Sequence, residues 1–225
     1  MNNQFLDLIN NPVLNIDNTI RYSLMYQVKE ESLSHHISEV SILAYLTTLK
    51  LNSYGENLDV GLVLEKVVLH DLDEVLTGDI PRTTKYYTEE GLRAMRDVAD
   101  KAMSRLSSQL EGGDEVLEKW RSAKTGKEGQ VLELCDMLCV ARKVVNEVKI
   151  LGNGYFLKVA YEMLENLKEL STEEFLEFNS ESRNYISGLI HDAIEVMHGL
   201  ISGDDRLERY GIINNIFMKD KVGVK

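Results

Sequence analysis

The stretch His70-Asp71-Leu72-Asp73-Glu74-Val75-Leu76-Thr77-Gly78-Asp79-Ile80-Pro81 puts an imidazole, several carboxylates and a turn into one short segment. A buried imidazole beside a buried carboxylate is costly unless a cation or a full set of hydrogen bonds compensates it, so the segment points to a metal site. Apolar residues upstream recur at helical spacing, which predicts a helix from about Val60 to Leu76, closed by Gly78. Asp79, Ile80 and Pro81 must then turn or extend. His70 and Glu74, four apart on that helix, share a face, and Asp71 lies one step round from them.

Outward from this segment the chain reads as all-α. It has only two prolines, Pro12 and Pro81, and is rich in Leu, Glu, Lys and Met, so few positions forbid helix. Its 225 residues suit one domain over residues 1–200, with 201–225 as a C-terminal tail. Helices are expected from Ser34, as N-cap, through Ile37, Val40, Ile42, Leu43, Leu46 and Leu49; from Thr88 to Leu110; around Trp120; and from Gly129 to Leu151. Two more are expected between Tyr155 and Gly199. Cys135 and Cys139 fall four apart in an apolar helical pattern, which reads as core thiols kept reduced.

Charge and targeting narrow the partners. Asp plus Glu number 37 against 25 Lys plus Arg, and the net charge of −12 repels a long nucleic acid. A small phosphorylated substrate remains compatible, because local cations outweigh a screened global field. No apolar run approaches a membrane span of about 18 residues, and no signal-like start is present, so the expectation is a cytoplasmic protein without membrane attachment.

The segment needs further ligands from elsewhere. His36, near a helix start, and Asp136, on the long later helix, interrupt apolar patterns and complete a two-His, two-Asp set with His70 and Asp71. Mixed imidazole and carboxylate donors suit one divalent ion such as Mn, Co, Mg, Fe or Zn. Such an ion polarises phosphoryl oxygen and acidifies bound water, and Glu74 is placed to orient or deprotonate that water. His35 reads as a non-ligand. His191-Asp192-Ala193-Ile194-Glu195 repeats the spacing but lacks the following turn, and reads as a solvated helix face. Arg142, Lys143 and Glu147 also read as a solvated face.

The order His36, His70-Asp71, Asp136 resembles the H…HD…D signature of the HD-domain phosphohydrolases. Within them the chain is most similar to the YfbR-type 5′-deoxynucleotidases, over roughly residues 20–155. The likeness rests on Arg21-Tyr22-Ser23-Leu24-Met25, on Ser34-His35-His36, on the central segment continued through Arg82-Thr83-Thr84-Lys85-Tyr86, and on Asp136-Met137-Leu138-Cys139. The resemblance implies an HD-type helical bundle with a metal between helices, held by His36, His70, Asp71 and Asp136. It makes Glu74 the acid/base, with a metal-linked Asp71 as the other group that handles protons. It also implies that Arg21 meets phosphate, Tyr22 the sugar and base, and that His36 and the turn Asp79, Ile80, Pro81, Arg82 face the substrate. Homo-oligomers are usual in the family.

The chain departs from the pattern at three places. Tyr22 stands where the family typically has Trp, which bears on discrimination against ribose. Arg82 follows Pro81 where a small hydroxyl residue is usual, and with Lys85 it suits a longer phosphate chain. The charged segment from Leu110 to Gly129 and the tail have no counterpart, and are expected to serve oligomerisation or nothing catalytic. The leading expectation is hydrolysis of deoxyribonucleoside 5′-monophosphates to nucleoside and phosphate. The rivals are a deoxynucleoside triphosphate (dATP-type) phosphohydrolase and a non-catalytic nucleotide-binding module.

Overall fold

The computed structural model describes residues 9–85, 87–172 and 175–202, and the expected tail from 203 onward lies outside them. A 3-10 helix, Pro12–Asn18, leads into an irregular loop and then α1 (Leu33–Ser53), α2 (Val60–Leu69), α3 (Glu74–Thr77) and α4 (Arg82–Lys85). There follow α5 (Glu89–Ser107), α6 (Gly113–Arg121), α7 (Gly126–Val145), α8 (Leu157–Thr172) and α9 (Ser180–Ser202). Among the described residues there is no strand, only one antiparallel bridge between Ile20 and Ser32. The all-α expectation holds. The expected tail boundary at residue 201 falls inside α9.

Helix α7 is the axis of the bundle. Up to Cys139 it buries Val131, Leu132, Leu134, Cys135 and Cys139 against Leu33, Ile37, Val40 and Ala44 of α1 and Val63 and Val67 of α2. Its C-terminal half buries Ala141 and Val144 against Leu157, Ala160, Met163, Leu164 and Leu167 of α8 and Met197 of α9. Each large side chain buried here contributes about 1.5–3 kcal/mol. Both cysteines are free and buried, in line with their reading as core residues. A third, small cluster of Leu72, Met103 and Leu106 packs against Trp120 of α6 and fastens α5 and α6 over the segment after α2. The outward residues of α1 differ from expectation, since Ile42, Leu46 and Leu49 are exposed, with Tyr45 between them.

Two boundaries depart from the sequence reading in ways that shape the site. The cap of α1 is Ser32, whose hydroxyl accepts from the His35 amide; Ser34 sits inside the first turn and bonds Asp17. The cause is the bridge to Ile20, which keeps Ser32 extended up to the helix start. The expected helix Val60 to Leu76 breaks after Leu69, where Leu72 and Glu74 donate to carbonyls three residues back, Leu69 and Asp71. On a continuous helix His70 and Asp71 would point about 100° apart. At this break the two side chains nonetheless meet, with His70 Nε2 3.1 Å from Asp71 Oδ2. At the other end, α7 closes through a π-type turn, Asn146–Ile150, with Gly152 at φ 70° after it.

Candidate active site

Four chain segments meet at the middle of the bundle, around the midpoint of α7. The loop after the 3-10 helix brings Arg21 and Tyr22, α1 brings His36, the broken segment brings His70, Asp71 and Glu74, and α7 brings Asp136. One atom each from His36, His70 and Asp136 lies within 4.8 Å of the others. His36 Nε2 is 3.0 Å from Asp136 Oδ1, and both atoms are buried, yet their geometry forms no hydrogen bond. His70 Nε2 is likewise buried without a hydrogen-bond partner, 3.1 Å from Asp71 Oδ2. Buried polar atoms left unpaired are costly. Convergent lone pairs of this kind fit a shared cation.

The ring of His70 is oriented for that role. Its Nδ1 lies 2.7 Å from the Val67 carbonyl, which can only accept, so Nδ1 carries the proton and Nε2 offers a lone pair inward. Asp71 reaches the close triad through His70, 3.1 Å away. Its Oδ2 is 4.0 Å from His36 Nε2 and is drawn to Arg21 Nη1 at 3.1 Å.

Electrostatics favour positive charge at the centre. Burial opposes a charged His70, but the Asp71 carboxylate more than reverses this and raises its pKa to about 9. Burial would raise Asp71 and Asp136 too, yet the histidines, with Arg21 for Asp71, hold both below the usual carboxylate range. A proton and a metal ion compete for the same place. Glu74 behaves in the opposite way. Burial and then the Asp71 charge push it up to about 8, against the pull of Arg21 and Lys85. Its Oε1 lies 3.5 Å from Lys85 Nζ and its Oε2 3.8 Å from Arg21 Nη1.

Tyr22 occupies a left-handed conformation, φ 55°, held by Asp79 Oδ2, which accepts its amide proton at 2.6 Å. Its ring meets Phe156 edge-on at 5.3 Å. A cavity of about 380 Å³, in the range of small-molecule sites, is lined by Arg21, Tyr22, Asp71, Glu74 and Asp136 together with Asp79, Ile80, Pro81 and Lys85. Arg82 opens α4, and its side chain lies outside the described residues.

Several residues of the site escaped the sequence reading. Glu31 Oε1 sits between Arg21 Nε at 3.5 Å and His36 Nδ1 at 3.8 Å. Lys158, Glu162 and Asn166, one turn apart along α8, form the far wall with Met163. Their spacing of four was the available signal. Lys124, in the segment from Leu110 to Gly129 expected to serve oligomerisation or nothing catalytic, also lines the cavity. Lys66 Nζ donates to the carbonyls of Ser122 and Thr125 and pins that loop. Trp120 of the same segment donates to Asp73 Oδ1 at 3.3 Å. His191, Asp192 and Glu195 form a second close group, but all three are exposed on α9 and carry no orphaned buried atom. Glu147, read as part of a solvated face, is fully buried.

Comparison with known proteins places the whole chain. A family model described as 5′-deoxynucleotidase YfbR-like matches residues 10–186. A 5′-deoxynucleotidase of Vibrio vulnificus is 30% identical over 68% of this chain and 81% of its own length. A 5′-deoxynucleotidase of Vibrio cholerae is 26% identical over 70% of this chain and 83% of its own. Among solved structures, an HD-domain phosphohydrolase from Listeria innocua superposes with a TM-score of 0.67 at 17% identity, covering 92% of this chain and 94% of that one. With the H…HD…D residues gathered at one centre and a family match over most of its length, the chain belongs to the YfbR-like 5′-deoxynucleotidases, on the HD-domain fold.

Proposed function

We propose that this protein hydrolyses deoxyribonucleoside 5′-monophosphates to nucleoside and phosphate, with one divalent metal ion held by His36, His70, Asp71 and Asp136. The observation that carries the reading is the set of buried, unpaired atoms, His36 Nε2, His70 Nε2 and Asp136 Oδ1, converging beside a buried arginine. When bound, an ion at this place polarises phosphoryl oxygen and lowers the pKa of coordinated water. Arg21 is fixed as a cation by its acidic neighbours and offers guanidinium donors to the phosphate. Glu74, with a pKa of about 8, takes up or releases a proton at Oε1 or Oε2 near neutral pH. Asp71, beside both Arg21 and His70, takes part in the same proton traffic. Tyr22, backed by Phe156, faces the sugar and base, and the turn Asp79, Ile80, Pro81 borders the substrate. His36, expected to face the substrate as well, does not line the cavity; it is buried behind Asp136, whose Oδ1 lies 3.0 Å from its Nε2.

A second reading is a deoxynucleoside triphosphate (dATP-type) phosphohydrolase. Three lysines along the cavity, Lys85, Lys124 and Lys158, favour it, since extra phosphates need extra cations. Incubation with Mn²⁺ or Co²⁺ and either dAMP or dATP, with products identified by chromatography, separates the readings. Deoxyadenosine and orthophosphate from dAMP alone support the nucleotidase. Efficient use of dATP supports the triphosphatase, and bound metal with no turnover of either refutes both. The same proposal includes a cytoplasmic setting, supported by the two free buried cysteines. It includes a homo-oligomer, supported by the exposed stripe Ile42, Tyr45, Leu46 and Leu49 on α1. Among the described residues, no helix is long and apolar enough to cross a membrane.

A further inference from the structure

Helix α7 ends in a buried polar cluster that the proposed chemistry does not use and whose members do not line the cavity. Glu147 is fully buried and Lys143 and Asn153 nearly so. Lys143 Nζ donates to Glu147 Oε1 at 2.8 Å, and Asn153 Nδ2 to Glu147 Oε2 at 2.7 Å. Apart from Asn153 Oδ1, which accepts from Tyr155 N at 3.1 Å, the remaining side-chain bonds go to one loop. Val28 N donates to Glu147 Oε2 at 3.0 Å, Lys29 N to Oε1 at 3.1 Å, Lys143 Nζ to the Lys29 carbonyl, and Asn153 Nδ2 to the Tyr26 carbonyl at 2.9 Å.

That loop is the one that carries Arg21 and Tyr22. Its base is tied by the Ile20 to Ser32 bridge, with Arg21 N donating to the Glu31 carbonyl at 2.8 Å. Its tip is held by the cluster, with the Tyr26 ring edge-on to Tyr155 at 5.9 Å beside it. Lys143 Nζ also lies 5.4 Å from the centre of the Phe156 ring, which in turn meets the Tyr22 ring at 5.3 Å. The π-type turn at Asn146–Ile150 contains Glu147, and irregularities of this kind concentrate at functional sites.

A buried ion pair is weak evidence for added stability, because desolvating both charges offsets most of their attraction. Its use is in fixing geometry. We propose that Glu147 is a positioning residue for Arg21 and Tyr22: through the clasp with Lys143 and Asn153 it locks the phosphate-facing loop to α7, the helix that carries Asp136. The distance between the arginine and the His/Asp group is thus set by one rigid element about three turns long. The inference rests on the proposed role of Arg21 in binding phosphate.

The test uses the full chain and the variants Glu147→Gln and Asn153→Ala, loaded with Mn²⁺. Misplacing the arginine by a fraction of an ångström weakens every phosphate ligand alike. KM for dAMP and Ki for inorganic phosphate should therefore rise together, by about tenfold to a hundredfold in Glu147→Gln and less in Asn153→Ala, at unchanged metal content. Hydrogen exchange at Val28 and Lys29 should quicken while α7 stays protected. A cluster that only stabilised the fold would lower the active fraction, so apparent kcat would fall with KM and Ki unchanged; that result overturns the proposal. If Glu147→Gln does not fold, Asn153→Ala alone decides it by the same criterion. If the wild type leaves dAMP intact, the functional reading fails. The clasp is then judged by exchange alone, and unchanged protection at Val28 and Lys29 in the variants overturns it.

Discussion

Asp79→Ala removes one contact whose consequences can be worked through. Asp79 Oδ2 accepts the Tyr22 amide proton at 2.6 Å, and Tyr22 is held at φ 55°. The left-handed conformation costs a residue with a side chain about 1–2 kcal/mol. A hydrogen bond to a charged group contributes about 1.5–3 kcal/mol, enough to hold Tyr22 there by a narrow margin. Without the carboxylate, Tyr22 relaxes to negative φ and recovers part of its strain, so the net loss of stability should be about 1–2 kcal/mol. The relaxation also swings the ring off Phe156, and KM for dAMP should rise. Asp79→Asn keeps an oxygen acceptor, so it should cost less than half as much on both measures. Urea unfolding monitored by circular dichroism, together with steady-state kinetics, reads the two effects. Equal costs for the Asn and Ala variants, or an unfolding midpoint and KM unmoved in Asp79→Ala, would refute the reasoning.

Three further outcomes are expected. Glu74→Gln should retain bound metal and lose about 10²–10⁴ in kcat; turnover at the wild-type rate would remove Glu74 from proton transfer. Gly129→Ala should destabilise the protein by about 1–3 kcal/mol in thermal unfolding, because a Cβ there would lie 2.4 Å from the Lys124 carbonyl carbon; an unchanged midpoint would mean the loop yields freely. Acid sensitivity should follow Glu147. Burial raises its pKa, but Asn153, Lys143 and the amides of Val28 and Lys29 more than reverse this and depress it from 4.5 to about 2. Its folded pKa is the lower one, so its contribution, on the order of 3 kcal/mol, is complete above pH 4.5 and is lost as pH falls toward 2. The stabilities of wild type and Glu147→Gln should converge over that window; a gap that stays constant from pH 7 to pH 2 would contradict it.

The parts of the site that can be read from the chain are those whose chemistry is local. His70-Asp71, Glu74 and the turn at Asp79 lie in one segment, and His36 and Asp136 stand out because each breaks an apolar helical pattern. Helix positions followed in the same way from periodicity and punctuation, with α5 starting after Thr88 as expected. The break at His70 was hidden, because Leu69, Leu72, Val75 and Leu76 keep a helical period straight through it. Only packing against Met103, Leu106 and Trp120 reveals why the backbone tightens there. Glu31 and Lys124 were out of reach for a different reason. A charged residue in a loop looks solvated until the tertiary fold shows what it faces. Glu147 was misread on the same ground, since at four residues from Lys143 it has the spacing of an ordinary surface pair, and its burial comes from a loop more than a hundred positions away.

The central claim is that His36, His70, Asp71 and Asp136 hold a single divalent ion on which activity depends. Elemental analysis of the purified protein beside Asp136→Ala and His191→Ala, with dAMP hydrolysis measured on the same samples, tests it most directly. The account predicts about one metal ion per chain and full activity in the wild type and in His191→Ala, and loss of both in Asp136→Ala. Metal and activity retained in Asp136→Ala but lost in His191→Ala would move the centre to the exposed group on α9 and contradict the account.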